Sequence, residues 1–204
     1  AERQSAGRGR QGRPWQSAPG ASLTFSLGLP LAPQRWGGLS LAVGVALAEA
    51  LHPSLRIKWP NDLWTVDARG EPAGKLGGIL IETQGHAGPS RHVVVGVGLN
   101  IEAPPALPDP RNPVAWLRQL DAAATAPATL TLAATALVGA LRLFELRGFA
   151  AFARRFEACD LLRNRPVSTT RPDLPQARAC GVDEDGALLL HDARGLHRLD
   201  SGEV

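Results

Sequence analysis

The sequence predicts an α+β protein, a sheet-and-helix body followed by a small all-β module, and three observations carry that prediction. Apolar runs of strand character bounded by turn residues recur between residues 21 and 99. Ala- and Leu-rich stretches with helical spacing lie among and after them. Beyond Asn164 the helical signal stops, and short strand-like runs alternate with Asp-, Gly- and Pro-rich turns.

Taken in order, residues 21–29 alternate as a strand after the Pro19-Gly20 turn, and residues 36–52 form a helix that Pro53 stops. Residues 56–59 make a short strand broken by Pro60; residues 63–66 resume it, and residues 67–70 turn. Residues 76–83 and 92–99 are apolar strands joined as a hairpin through 84–90. The proline-rich 102–113 must be irregular, and Asn112-Pro113 reads as the start of a helix reaching about 120. Residues 129–146 and 149–162 read as two helices punctuated by Gly148. The tail strands fall at 166–170, 177–182, 187–191 and 196–199, which divides the chain into 1–163 and 164–204.

At 204 residues, 44% hydrophobic and 20% charged, the chain has the material for a real core. Its longest apolar stretches, 39–51 and 128–141, are shorter than the roughly 20 residues a bilayer span requires. Residues 1–15 do not look like a signal peptide, and Cys159 and Cys180 form no Cys-x-x-Cys, so a reducing cytoplasm is the expected compartment. The charge is unevenly placed: Arg3, Arg8, Arg10 and Arg13 against Glu2 alone account for the whole net +3. Concentrated in one short loop, this suits a compact anion better than the extended face of a nucleic-acid binder. Of the 22 basic residues only Lys58 and Lys75 are lysines.

Four stretches carry candidate chemistry. Residues 7–12 spell a G-x-G-x-x-G, but polar residues precede it, Pro14 follows it and no acid lies about 20 positions on, which excludes a dinucleotide fold. What remains is a loop whose amides and guanidinium groups either wrap a phosphate or form a solvated basic tip. KWPND, Lys58 to Asp62, aims polar groups off a strand end; Asp62 either accepts a proton or holds a metal, or Asn61-Asp62 simply turns the chain. In AGKLGGILIET, Lys75 enters an apolar strand beside glycines that admit a ligand or another backbone; it either needs an anionic partner or snorkels at the strand end. GVGLN ends a strand on the amide of Asn100. A P-loop is excluded, because Gly70 to Lys75 is one residue short and Leu76 stands where Ser or Thr belongs.

Together QSAGRGRQGRPW, KWPNDL, GKLGGILIE and GVGLNI, with NRPV and GALLL in the tail, resemble the biotin–protein ligases in order and spacing over essentially the whole chain. The resemblance implies a mixed sheet flanked by helices, like class II aminoacyl-tRNA synthetases, with a C-terminal SH3-like barrel. It implies a monofunctional enzyme without a DNA-binding domain that forms biotinyl-5′-AMP from biotin and ATP, with Mg²⁺, and passes biotin to a lysine of a carboxylase carrier domain. Catalysis would fall to Arg8, Lys75 and Asp62. Biotin would be held by Gln4, Ser5, Arg8, Gly9, Arg10 and Lys75, and ATP by Arg10, Arg13, Trp15, Lys58, Asn61, Asp62, Asn100 and Trp116, with Asp62 also on the metal. For Trp15 and Trp116, core packing is the competing role. A homodimer is left open; DNA and membrane partners are not implied.

The family pattern also includes an upstream Ser-Thr-Asn segment that reads the biotin ureido ring, and this sequence starts inside the glycine loop. Weak biotin affinity and an exposed sheet edge are therefore expected, as is a tail that stops short of its last barrel strand. A non-catalytic biotin- and ATP-binding homologue is the alternative reading. A lipoate ligase-type acyl transferase ranks lower, because such enzymes lack the arginine loop.

Overall fold

The computed structural model describes residues 4–85, 90–103 and 113–204. Its larger sheet runs in the order β1-β5-β4-β3-β2, from β1 (Ser22–Leu31), β2 (Leu55–Lys58), β3 (Asp62–Val66), β4 (Pro72–Gln84) and β5 (Arg91–Asn100). Every ladder in it is antiparallel, which corrects the expected mixed sheet. Among the described residues, parallel pairing is confined to isolated bridges, Ile57 with Asp160 and Lys75 with Val114.

Strand alternation gives this sheet two different faces. On β5, Val93, Val95, Val97 and Leu99 are buried, while Val94, Gly96, Gly98 and Asn100 are half-exposed. The buried face packs against α1 (Leu39–Leu51) and α2 (Ala126–Arg147). Residues Leu39 to Ala48 of α1 are buried apart from Ser40, the signature of a central core helix rather than an amphipathic surface one. The helix starts on Gly38 at φ +77°, where an added Cβ would lie 2.4 Å from the Phe149 ring, and it stops just before Pro53. Gly44 lets α1 settle on β2, since a Cβ there would meet Ile57 Cδ1 at 3.1 Å.

The helix α2 begins at Thr125, whose hydroxyl accepts from the Ala128 amide, and ends at Gly148 with φ +62°. At 22 residues and mean hydropathy 1.5 it is longer than its apolar sequence stretch suggested and meets a bilayer-span criterion by length and composition. Its Ala133, Leu137, Ala140, Leu141 and Phe144 are nevertheless buried in the core.

Two expected helices are revised. Asn112 lies outside the described residues, as does most of the proline-rich stretch. Pro113 to Trp116 is not helical, because the segment bonds to the sheet: Lys75 N donates to Pro113 O at 2.8 Å and Ala115 N to Lys75 O at 2.9 Å. Only a 3-10 turn, Leu117–Gln119, follows. The stretch 149–162 divides into a 3-10 turn, Phe149–Ala151, and α3 (Ala153–Cys159). Asp160 is then drawn alongside β2, with Leu161 N donating to Ile57 O at 3.0 Å.

A second antiparallel sheet, ordered β6-β7-β8-β9, holds β6 (Pro166–Ser168), β7 (Gln176–Val182), β8 (Leu188–Asp192) and β9 (Gly195–Leu199). Trp59 joins the two sheets by donating from its indole to Gly186 O at 3.0 Å.

Cys159 is buried, and burial, with Glu49 and Asp160 nearby, pushes its thiol up to about 12, whereas Cys180 is half-exposed. Since the thiolate is the reactive form, a disulfide reagent at neutral pH should titrate Cys180 alone in the native protein and Cys159 only on unfolding. Rapid titration of both in the folded state would contradict this packing.

Candidate active site

The half-exposed face of the larger sheet is the floor of a cavity of about 410 Å³, and the arginine loop is its roof. That loop is a hairpin. Arg8 bridges Pro14, Gly9 N donates to Arg13 O at 2.7 Å, and Arg13 N donates to Arg10 O at 3.2 Å. Gln11 and Gly12 between them both have positive φ, +56° and +71°, as a type I′ turn requires. The G-x-G-x-x-G thus serves a hairpin and not a strand-to-helix turn. At its base Trp15 N donates to Gly7 O at 2.9 Å. The Trp15 indole lies on Gly98, where a Cβ would fall 2.6 Å from Cε2 and Cζ2. The glycine in GVGLN therefore seats the tryptophan that seats the loop.

Lys58 ends β2 and Asp62 opens β3, and the two are paired across that ladder around a cis Trp59–Pro60 bond. Asp62 also pairs with Gly78 on β4. A register shift between Leu63 and Trp64 leaves Leu76 outside the pairing and puts Lys75 opposite Trp64. Lys75 thereby reaches the same face as Gly78, and Gly78 leaves room for it: a Cβ there would stand 3.8 Å from Lys75 Nζ and 3.5 Å from Asp62 Oδ1. The result is an ion pair, Lys75 Nζ to Asp62 Oδ2 at 2.7 Å, with the side chains 37% and 23% exposed. Asn61 is held at both ends. Its Nδ2 donates to Ile79 O at 2.7 Å, and its Oδ1 accepts from Arg10 Nη1 at 3.3 Å. That second bond ties the roof to the floor.

Lys58 Nζ lies 5.4 Å from the Trp64 ring centroid. Burial lowers its pKa from the ordinary lysine value; Asp62 opposes the shift and Lys75 adds to it. Arg13 pairs with Glu203, which follows β9 and lines the cavity together with Val204.

Of the residues singled out from the sequence, Gln4, Arg8, Gly9, Arg10, Arg13, Trp15, Lys58, Asn61, Asp62 and Lys75 all line this one cavity. Ser5, Asn100 and Trp116 are not in its lining. Asn100 uses Nδ2 to donate to Ala115 O at 3.1 Å and to Lys75 O at 3.5 Å, pinning the Pro113–Trp116 segment to β4. The Trp116 amide donates to Gln119 Oε1 at 3.0 Å and so opens the 3-10 turn. Sequence reasoning missed the floor, Thr24, Ser26, Leu80, Gly96 and Gly98, and the tail residue Glu203. Period-2 alternation along β1 and β5 was the signal for the floor; for Glu203, 190 positions from Arg13, there was none.

A sheet covered by helices on one face and by an arginine hairpin on the other, with Lys58, Lys75 and the carboxylates of Asp62, Glu82 and Glu203 lining the space between, gives the chain a predominantly cationic cavity. The model of the biotin/lipoate A/B protein ligase family matches residues 1–100. A biotin–[acetyl-CoA-carboxylase] ligase of Paracoccus denitrificans is 31% identical over 222 residues, covering 100% of this chain and 88% of the relative. The chain belongs to the biotin/lipoate A/B protein ligase family. The bifunctional ligase/repressor BirA of Escherichia coli is 38% identical over 214 residues. The chain spans 64% of the length of that relative and of its Salmonella typhimurium counterpart. Among solved structures, the biotin protein ligase of Aquifex aeolicus in complex with biotin and ATP superposes with a TM-score of 0.80 at 25% identity, over 99% of this chain and 84% of that one.

Two outcomes test the site's construction. Gly98→Ala should unseat Trp15 by overpacking, a cost of about 1–3 kcal/mol, visible as faster tryptic cleavage after Arg8 and Arg10; an unchanged rate would count against the seat. Because folding lowers the affinity of Lys58 for its proton, the unfolded chain holds more protons from that lowered pKa up to about pH 10.4, and stability should rise with pH through that window. Lys58→Met should flatten the rise in thermal melts.

Proposed function

We propose that this chain is the catalytic part of a biotin–protein ligase: it joins biotin to AMP with release of pyrophosphate, then transfers biotin to a lysine of a carboxylase carrier domain. The observation that carries the reading is the convergence of the arginine hairpin and the Lys75–Asp62 pair on one cavity.

In the first step a biotin carboxylate oxygen attacks the α-phosphorus of ATP, and the bond to the pyrophosphate oxygen breaks. Two anions must meet, so fixed cations supply most of the help. Arg8 and Lys75 would hold the carboxylate and α-phosphate; Gln4, Ser5 and Gly9 would line the biotin side with Arg10. Arg10 and Arg13 would draw in the triphosphate, and Lys58, Asn61 and Asp62 would face the nucleotide. Asn100 would act on that side through the segment it pins. Trp15 would close the loop's base, and Trp116 would border the adenine.

In the second step the neutral carrier amine attacks the biotinyl carbonyl carbon, the bond to the AMP oxygen breaks, and Asp62 would take the amine's proton. No cluster of three or more His, Cys, Asp or Glu able to hold a metal occurs among the described residues. A lone Asp62 suits Mg²⁺ that arrives on ATP, still largely coordinated by phosphate and water; the metal is thus part of the substrate.

The same reading takes the body as class II synthetase-like over residues 1–163 and the tail as SH3-like over 164–204, in a cytoplasmic enzyme. The antiparallel four-stranded order of the tail sheet supports the latter.

Incubation with ATP, Mg²⁺, biotin and a carrier domain should release pyrophosphate and add one biotinyl group to the carrier, as seen by mass spectrometry; octanoate and lipoate should not replace biotin. Lys75→Met and Asp62→Asn should each lower turnover by about 100-fold or more, the scale of a lost charge-stabilising group. Absence of both pyrophosphate release and transfer in the unaltered chain would reject the reading.

A further inference from the structure

Within the cavity Lys75 is paired with the carboxylate of Asp62, and Arg10 is held by the neutral amide of Asn61. Arg13 is different, because its partner comes from the end of the small sheet. Glu203 is the anchored member of that pair. Its backbone oxygen accepts from Thr170 N at 3.3 Å, Gly202 before it turns the chain at φ +134°, and Val204 after it packs against the core. Its side chain is 29% exposed, while that of Arg13 is 66% exposed on a hairpin tip held by few bonds. The charge of Glu203 is also felt at Lys58. A carboxylate and a phosphate offer a guanidinium the same paired-oxygen geometry, so both compete for one face of Arg13.

We propose that Glu203 is a positioning residue that occupies the phosphate place on Arg13 in the ligand-free protein and must be displaced by polyphosphate, so that the tail of the small sheet sets nucleotide affinity. This rests on the anion-binding reading above, but its test requires no turnover. Since exposed pairs are individually weak, the effect should be a few-fold and should shrink with salt.

The test is calorimetric titration with inorganic tripolyphosphate of the unaltered chain, Glu203→Gln, Arg13→Gln, the double variant, and Glu82→Gln as a second carboxylate of the same cavity. Glu203→Gln should bind about three-fold tighter, Glu82→Gln should gain less, and the Glu203→Gln gain should largely vanish when Arg13 is already Gln. Glu203→Asp, with a shorter reach, should shift affinity in the same direction and guards against a folding artefact. Equal or weaker binding by Glu203→Gln, or a gain that persists undiminished without Arg13, would overturn the proposal. In turnover the gain should fall on KM for ATP and leave KM for biotin unmoved. Absence of both pyrophosphate release and biotinyl transfer in the unaltered chain with an intact tripolyphosphate cycle would reject the ligase reading alone, and transfer with an additive cycle would reject the competition of Glu203 with phosphate alone.

Discussion

Lys75 and Asp62 meet at 2.7 Å on the open face of the larger sheet, and the other charges of the cavity are arranged around that contact. Arg8, Arg10, Arg13, Lys58 and Lys75 share a space of about 410 Å³. Cations confined this closely repel unless carboxylates are interleaved among them; Glu203 reaches Arg13 at the edge, and Asp62 serves the centre from a position opposite both Lys58 and Gly78. Antiparallel pairing sets that position, and the register shift at Leu63/Trp64 lets Lys75 join it. The backbone ladder thus fixes the electrostatics, and the side chains inherit their geometry from it.

The same economy governs the roof. A loop with this many arginines and glycines has little reason of its own to hold one shape. It holds one because Trp15 rests where Gly98 lacks a side chain and because Asn61 reaches Arg10 from below. One anchor lies within β5 and the other in the tight turn between β2 and β3, so the loop is tethered directly to the sheet beneath it.

Much of this was legible in the amino-acid order. The α1 run, the β4–β5 hairpin and the switch to short strands after Asn164 all follow from local pattern, since burial there is decided by the element's own sequence. The failures share one cause. At Pro113–Trp116 and around Asp160 a helix-compatible sequence is captured by bonds to Lys75 and Ile57, partners distant in the chain. Periodicity carries no record of such bonds. The site behaved likewise: its charged residues announced themselves by type and spacing, whereas the bulge that turns Lys75 inward, the glycine floor and the carboxylate of Glu203 emerge only once the strands are paired.

The scarcity of lysine has a practical side. Lys58 and Lys75 are the only lysines in the chain, and both line the cavity. Among side chains, ordinary amine chemistry, whether surface immobilisation, dye conjugation or cross-linking, would find ammonium groups only in the cavity, so that lysine modification, counted apart from that of the α-amine, reports on the interior of the binding site. Handling the protein through its half-exposed thiol at Cys180 leaves that interior untouched, whereas guanidinium reagents would reach Arg8, Arg10 and Arg13 in it; labelling of the two lysines becomes a direct gauge of whether the cavity is open or filled.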